Sequence, residues 1–357
     1  MAKKRERYKD VKRILVRGTN WVGDTIISFP AVNSLRRIFP QAHIAVLAKS
    51  HLAELWKANP DINEVISFDR AQGVQRLFDE LRMSRLIKEH DIDLAVIFPR
   101  SFSSAWLVFF GGVPHRIGYK GEVRDWLLTE RLDRTTEILS THRMYYYLHL
   151  IERLGSGPSP SLPTLSINGE LAKWADNFLA HNRLRGRVLI GFNPGATYGA
   201  AKCWPPERFV KLGKRLKEDH GAYILIFGSS LSKEQDLNNT IAQGIGEGCL
   251  DLSGQTTLLE LASLLRQCRL LVTNDTGTMH VAAAVGTRVV AIFGPTDPRT
   301  TSPLGEGHMV IRAEVSCSPC LKRVCPEEHR CMDLIDVEQV YNAICTQFKR
   351  RASSGSS

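Results

Sequence analysis

The sequence predicts an α/β protein made of two facing Rossmann-like domains with a cleft between them. Three observations carry this. Short runs rich in Val, Ile and Leu alternate with helical patterns through both halves of the chain. A Pro/Gly/Ser-rich segment, GSGPSPSLPTLS at 155–166, separates halves of similar size. Residues 272–298, VTNDTGTMHVAAAVGTRVVAIFGPTDP, hold a strand end, a turn, a short helix, a second strand and a second turn. So compact a strand–helix–strand unit implies a parallel pair, with both turns at the carboxyl end of the sheet. The expected division is a first domain over 1–165, a second over 166–350 and a disordered tail, RASSGSS, over 351–357.

A chain of 357 residues has room for two cores. Its 43% hydrophobic and 24% charged residues are ordinary for a soluble globular protein. No apolar run reaches the roughly 20 residues that span a bilayer. The basic start, MAKKRERYKDVKR, is followed by no apolar segment of the signal-peptide kind, so a cytoplasmic location is expected. The net charge of +10 would suit nucleic acid, an anionic membrane face or an anionic substrate, or no specific partner. Basic residues are dispersed without an aromatic-interleaved stripe, which disfavours nucleic acid. A polyanionic substrate at a membrane surface fits better.

In the first half, RILVR at 13–17 reads as the first strand. GTNWVGD follows and leads into a helical pattern carrying Ile26, Ile27, Val32, Leu35 and Ile38 on one side. Pro30 should kink that helix or mark its true start. Asp24, in the Gly-containing loop, has two readings: a helix cap or a general base facing a cleft. Strands are expected at 43–49, 64–68 and 93–98, with a charged helix over 72–90. Asp91 and Asp93 form a D-x-D of the kind that holds a metal and a diphosphate in some glycosyltransferases. Here they lie where a strand begins, the wrong end of a parallel sheet, and are assigned a structural role. Residues 112–122, GVPHRIGYKGE, read as a basic loop, and Tyr145, Tyr146 and Tyr147 as packing residues of a helix running to about 154.

The second half repeats the alternation. RVLIGFNPG at 187–195 is a strand running into a turn that ATYGAAKCW extends. Pro206 opens a helix through 217, 222–230 is a strand and turn, a helix runs from Leu237 onward, and 257–268 is helical. Two such units joined by a Pro/Gly/Ser linker are the GT-B arrangement or something close to it.

The turn DTG at 275–277 places backbone N–H groups, hydroxyls and a glycine at a helix N-terminus, which suits a phosphate or diphosphate. The alternative makes Asp275 and Thr276 helix caps. Lys202, in the long loop leaving the same sheet edge, could supply a point charge to a diphosphate leaving group, although most lysines are simply solvated.

Taken together, TNWVGDTIISFPAV, NPGATYGAAKCWPPERF, FGSS, NDTGTMHVAAAVG and FGPTDP resemble the ADP-heptose:lipopolysaccharide heptosyltransferases of glycosyltransferase family 9, and NWVGD and GATYGAAKCWP resemble the heptosyltransferase II branch. The resemblance runs from about residue 13 to 344. It implies a GT-B fold and an inverting transfer of heptose from ADP-heptose to the first heptose of the lipopolysaccharide inner core. It further implies a cytoplasmic enzyme in peripheral contact with the inner membrane.

On that resemblance Asp24 stands at the catalytic-base position, and Lys202 matches the lysine that neutralises the ADP diphosphate. Thr197 falls where a hydroxyl lies near the same phosphates. Asp275 would hold sugar hydroxyls, while Thr276, Gly277 and Thr278 present N–H and O–H groups to the diphosphate. His280 belongs to the motif, with packing as an equal explanation. The heptosyltransferase I branch places a nucleotide-contacting glutamate after FGS. Ser230 stands there in this chain, which leaves the ribose partner open. The chemistry requires no cofactor; a divalent ion such as Mg2+ could assist the diphosphate. Arg100, Arg116 and Lys120 could meet acceptor phosphates and carboxylates.

Four of the eight cysteines, Cys317, Cys320, Cys325 and Cys331, crowd together as C-x2-C-x4-C-x5-C with His329 among them. They could hold a structural Zn2+ or an iron–sulfur cluster, or be reduced thiols of a C-terminal loop. Other readings of the whole chain are heptosyltransferase I, a GT-B nucleotide-sugar epimerase, which would need no acceptor, and a basic nucleic-acid-binding protein, which would bind with steep salt dependence.

Overall fold

The computed structural model describes residues 7–69, 75–121, 123–155 and 161–353. Residues 156–160, the centre of the expected linker, lie outside them. The chain divides into two compact units, residues 1–163 and 164–357.

The first unit runs β1 (Arg13–Arg17), α1 (Val22–Ile38), β2 (His43–Ala48), α2 (Ala53–Lys57), β3 (Glu64–Ser67), α3 (Gln75–Glu89), β4 (Leu94–Ile97), α4 (Phe102–Phe110), β5 (His115–Tyr119), β6 (Glu130–Leu132), α5 (Thr136–Ser140) and α6 (Arg143–Glu152). Its strands form one sheet in the order β3-β2-β1-β4-β5-β6, every pair parallel. Ile14, Leu15 and Val16 of β1 are fully buried, as a central strand covered on both faces must be. Pro30 lies inside α1 rather than at its start. Asp93 caps the beginning of β1, accepting the N–H groups of Lys12 and Arg13 at 2.8 Å each, which gives the D-x-D its structural role.

The stretch read as a basic loop at 112–122 contains β5. Arg116 lies within that strand, and its guanidinium donates to the carbonyls of Leu127 and Val113 and lies over the Phe109 ring. Its charge obscured the short strand in the sequence.

The second unit runs α7 (Gly169–His181), β7 (Leu189–Asn193), α8 (Pro206–His220), β8 (Tyr223–Ile226), α9 (Ser232–Ile245), β9 (Cys249–Asp251), α10 (Leu258–Gln267), β10 (Leu270–Asn274), α11 (Gly277–Ala284), β11 (Arg288–Phe293), α12 (Pro298–Thr301), β12 (Met309–Arg312), α13 (Arg330–Asp333) and α14 (Val337–Ser353). The order β12-β11-β10-β7-β8-β9 repeats the first sheet, again with every pair parallel. Thr257 opens α10 with a reciprocal capping box to Glu260. Gly221 closes α8 at φ 60°, a conformation glycine adopts without steric cost. Helix α9 begins at Ser232, five residues before the expected start. Helix α14 continues through residue 353 into the stretch read as a tail, and 354–357 lie outside the described residues.

Each sheet reverses direction beside its first strand, between β1 and β4 and between β7 and β10. At such a point the loops from adjacent strands part, leaving a crevice where open α/β sheets bind ligands.

Candidate active site

At the second unit's reversal, the loop after β7 carries Thr197 and Lys202, and the turn after β10 carries Asp275 and Thr276. Lys202 Nζ donates to Asp275 Oδ2 at 2.5 Å and to the Asp275 carbonyl at 3.2 Å. Thr296, in the loop after β11, donates to the same Oδ2 at 2.7 Å. Lys202 also lies over the Tyr198 ring, 4.8 Å from its centroid. Three loops from adjacent strands thus meet on one carboxylate. Thr276 holds the N-cap position of α11 but its side chain makes no cap hydrogen bond; its hydroxyl lies 3.3 Å from that of Thr273. The cap reading therefore fails for the Thr276 side chain. Gly277 and Thr278 form the first turn beyond it, and His280 is buried in the body of the helix.

Asn274, wholly buried at the end of β10, is a residue the sequence reading missed. Its amide donates to the Pro194 carbonyl and accepts the Trp204 N–H at 3.2 Å. It therefore ties both ends of the Lys202 loop to the neighbouring strand. Glu234, in the first turn of α9, was missed too. It accepts from Thr197 Oγ1 at 3.2 Å, from Ser229 N at 3.0 Å and from Ser229 Oγ at 2.6 Å. A carboxylate thus stands beside Thr197, supplied four residues beyond Ser230. Starting α9 at Leu237 hid it.

The cysteine segment braces the same loop. Tyr198 Oη donates to the Leu321 carbonyl at 2.7 Å, Ala201 N to the Arg323 carbonyl at 3.0 Å, and His329 Nε2 lies 2.8 Å from the Ala201 carbonyl. Leu321 N donates to the Pro295 carbonyl at 2.8 Å. The eight cysteines are all free. Burial, and after it the nearby thiols of Cys317, Cys320 and Cys325, push the Cys331 thiol up to about 11, so it is neutral at physiological pH. Among the described residues no group of three or more His, Cys, Asp or Glu side chains is arranged to hold a metal ion.

In the first unit Asp24 lies in the first turn of α1, and Tyr147 Oη of α6 donates to its Oδ1 at 3.0 Å. Tyr147 is therefore more than a packing residue. Beside this loop, at the carboxyl ends of β1 to β4, is a hollow of about 410 Å³ lined by Arg17, Asn20, Lys49, His51, Phe68, Asp69 and Ser101. Arg17 is buried and donates to the Gly18 carbonyl at 2.6 Å and to Asn20 Oδ1 at 3.2 Å. Burial, and then Lys49, lower the His51 pKa, while the Ser50 hydrogen bond lowers that of Asp69. The hollow combines cations, a carboxylate and amide and hydroxyl groups, a set suited to an acidic sugar. Of the expected acceptor contacts, Arg116 is bound to carbonyls within its own unit and Lys120 pairs with Asp133 at 2.7 Å. Arg100 is exposed, next to Ser101 of the hollow. Buried Arg124 donates to the carbonyls of Tyr119, Pro99 and Ser101, which fixes the loop after β4.

Residues 80–330 match the family model described as glycosyltransferase family 9 (heptosyltransferase). The chain belongs to glycosyltransferase family 9. It is therefore a glycosyltransferase. Lipopolysaccharide heptosyltransferase 2 of Escherichia coli K12 is 34% identical over 311 residues, covering 84% of this chain and 88% of that protein. Lipooligosaccharide heptosyltransferase 2 of Haemophilus ducreyi is 33% identical over 317 residues, covering 84% and 88%. The solved E. coli ADP-heptose lipopolysaccharide heptosyltransferase II matches with a TM-score of 0.80 at 29% identity, over 95% of this chain and 99% of that one. The family 9 chain thus has the GT-B fold class. Among its described residues no helix is long and apolar enough to cross a membrane.

Proposed function

We propose that this family 9 enzyme transfers L-glycero-D-manno-heptose, with inversion, from ADP-heptose to the first heptose of the lipopolysaccharide inner core. The observation that carries the donor half is the meeting of Lys202, Asp275 and Thr296 beside the N-terminus of α11. A cation, two hydroxyls and helix N–H groups at a sheet reversal match the charge of a nucleoside diphosphate. The heptosyltransferase 2 relatives at 33–34% identity support the sugar and the acceptor.

In this reading Asp24 takes the proton from the acceptor hydroxyl as its oxygen attacks the anomeric carbon. The bond from that carbon to the diphosphate oxygen breaks, and ADP leaves with the electron pair. Lys202 and the first-turn N–H groups of Gly277 and Thr278 stabilise the charge developing on the leaving oxygen. Asp275 orients Lys202 and offers its carboxylate to sugar hydroxyls. Thr197 and Glu234 face the nucleotide, with Glu234 a partner for the ribose hydroxyls. The reaction is a single displacement, so no covalent enzyme intermediate is invoked. A divalent ion such as Mg2+ could assist on the diphosphate.

The acceptor's acidic sugars would occupy the hollow beside Asp24, with Arg17 and Lys49 meeting their charge. The net charge of +10 supports peripheral contact with the anionic cytoplasmic face of the inner membrane. Incubation with ADP-heptose and truncated lipopolysaccharide tests the reading. ADP should be released only when the acceptor ends in one inner-core heptose. Turnover of ADP-heptose without acceptor, or equal transfer to a heptose-free core, would contradict it.

A further inference from the structure

We propose that Tyr147 is a positioning residue for the Asp24 carboxylate, holding one of its oxygens so that the group meets the acceptor hydroxyl in a fixed orientation and in its charged form. The inference rests on Asp24 being the base, and its test separates the two.

The geometry joins two helices far apart in sequence: α6 packs along α1, and the phenol of one reaches the first-turn carboxylate of the other at 3.0 Å. Tyr147 is only 6% exposed. Its ring lies against Phe98, centroids 5.0 Å apart, and edge-on to Tyr146 at 5.6 Å. A ring enclosed in this way holds its hydroxyl in place, which orients the carboxylate more firmly than a solvent-exposed donor would.

Burial, followed by the Asp24 charge, raises the Tyr147 pKa well above that of an ordinary phenol. Tyr147 therefore keeps its proton and serves as a permanent donor, never as a competing base. A hydrogen bond donated to a carboxylate favours the ionised form. Among the described residues, the charged and titratable groups that act most on Tyr147 are Asp24, Arg143 and Tyr146, and Arg17 stands at the root of the Asp24 loop. Removing the phenol hydroxyl leaves the other groups in place.

Tyr146 shows what a packing tyrosine at this position looks like. It is equally buried and stacks on Tyr119 with centroids 4.1 Å apart. Its hydroxyl has no hydrogen-bond partner among the described residues. The two neighbours on one helix thus provide a built-in comparison.

The test uses the full chain with Tyr147→Phe, Tyr146→Phe and Asp24→Asn, measuring kcat, KM for ADP-heptose and the pH dependence of kcat/KM. Tyr147→Phe should lower kcat about tenfold through lost orientation. It should move the acid limb of kcat/KM to higher pH, with KM for ADP-heptose unchanged. Tyr146→Phe should match the parent enzyme in all three. If Asp24→Asn abolishes transfer while Tyr147→Phe leaves kcat and the acid limb where they were, the positioning role is wrong and the base assignment stands. If Asp24→Asn keeps its kcat, both fall. A thermal denaturation scan of Tyr147→Phe separates a folding defect from a positioning one. A fold lost in that variant but kept in Tyr147→Leu, which has no donor, with parent kcat, would also overturn the role.

Discussion

Lys202 and Asp275 form an ion pair 2.5 Å apart with side chains only 12% and 6% exposed. The pair joins the loop after β7 to the turn after β10 at the point where the sheet reverses. On the proposed reading a diphosphate drawn to Lys202 would meet a cation whose position a carboxylate has already fixed. Asp275 would temper that charge until phosphate oxygens share it.

Replacing Lys202 with Met should remove one charge-assisted hydrogen bond to the diphosphate, about 1.5–3 kcal/mol, or roughly ten- to a hundredfold in ADP affinity. Titration calorimetry with ADP checks this. Because the substitution also strands Asp275, the melting temperature should fall too; Lys202→Arg should restore part of both. Unchanged ADP affinity in Lys202→Met would remove Lys202 from the nucleotide site.

Gly199 lies under the cysteine segment, and a Cβ there would come 2.3 Å from the Arg323 carbonyl oxygen. Backbone cannot yield as a flexible side chain can, so Gly199→Ala should push the brace off the Lys202 loop. The expected outcome is a melting temperature lowered by several degrees and ADP affinity weakened about tenfold, with far-ultraviolet dichroism unchanged. A variant indistinguishable from the parent in both would show that the loop needs no brace.

Asn274→Leu should be more damaging than its size suggests. It leaves the Pro194 carbonyl and the Trp204 N–H without their partner, and a buried polar group left unsatisfied costs about 1–3 kcal/mol. Urea denaturation should show a loss of about 2–6 kcal/mol for the two, and Asn274→Asp, which keeps the acceptor, should lose less.

Glu64 lies between His43 and His90, with ring nitrogens 3.0 and 3.1 Å from its oxygens. The Leu86 carbonyl, and after it Glu64, raise the His90 pKa above 6.5. Burial pushes Glu64 up, but the two histidines outweigh it and hold the carboxyl below 4.5. The raised His90 adds stability that is complete below about 6.5 and is lost as pH rises through its folded value. The lowered Glu64 adds stability present above about 4.5 and lost as pH falls through its own folded value. The parent's advantage over His90→Gln should therefore be largest near pH 6 and shrink towards pH 8.5. Unfolding free energies across that range check it; a constant difference would contradict the pairing.

The second unit was the more legible half. The run from Leu270 to Phe293 announces itself through β-branched strands, a short helix between them and Gly286, so β10, α11 and β11 follow from local chemistry. What the sequence concealed depends on contacts remote along the chain. Strand β5 is an exception, hidden by Arg116, whose charge is met by carbonyls only eleven and three residues away along the chain. Tyr147 read as packing because its partner lies 123 positions earlier. Asn274 opens the NDTGTMHVAAAVG motif and Glu234 belongs to none; only the meeting of loops from adjacent strands gives each its role. The cysteine spacing marks possible metal ligands, and only the fold shows that the backbone around them also holds the Lys202 loop.

On the proposed reading Asp24 is the proton acceptor while the nucleotide is held independently in the second unit. Asp24→Asn tests it most directly, with transfer to truncated lipopolysaccharide and ADP-heptose affinity measured on the same preparation. The expected outcome is a fall in kcat of roughly a hundredfold or more with Kd for ADP-heptose within about twofold of the parent. Near-parent transfer by Asp24→Asn, or loss of ADP-heptose binding together with transfer, would contradict it.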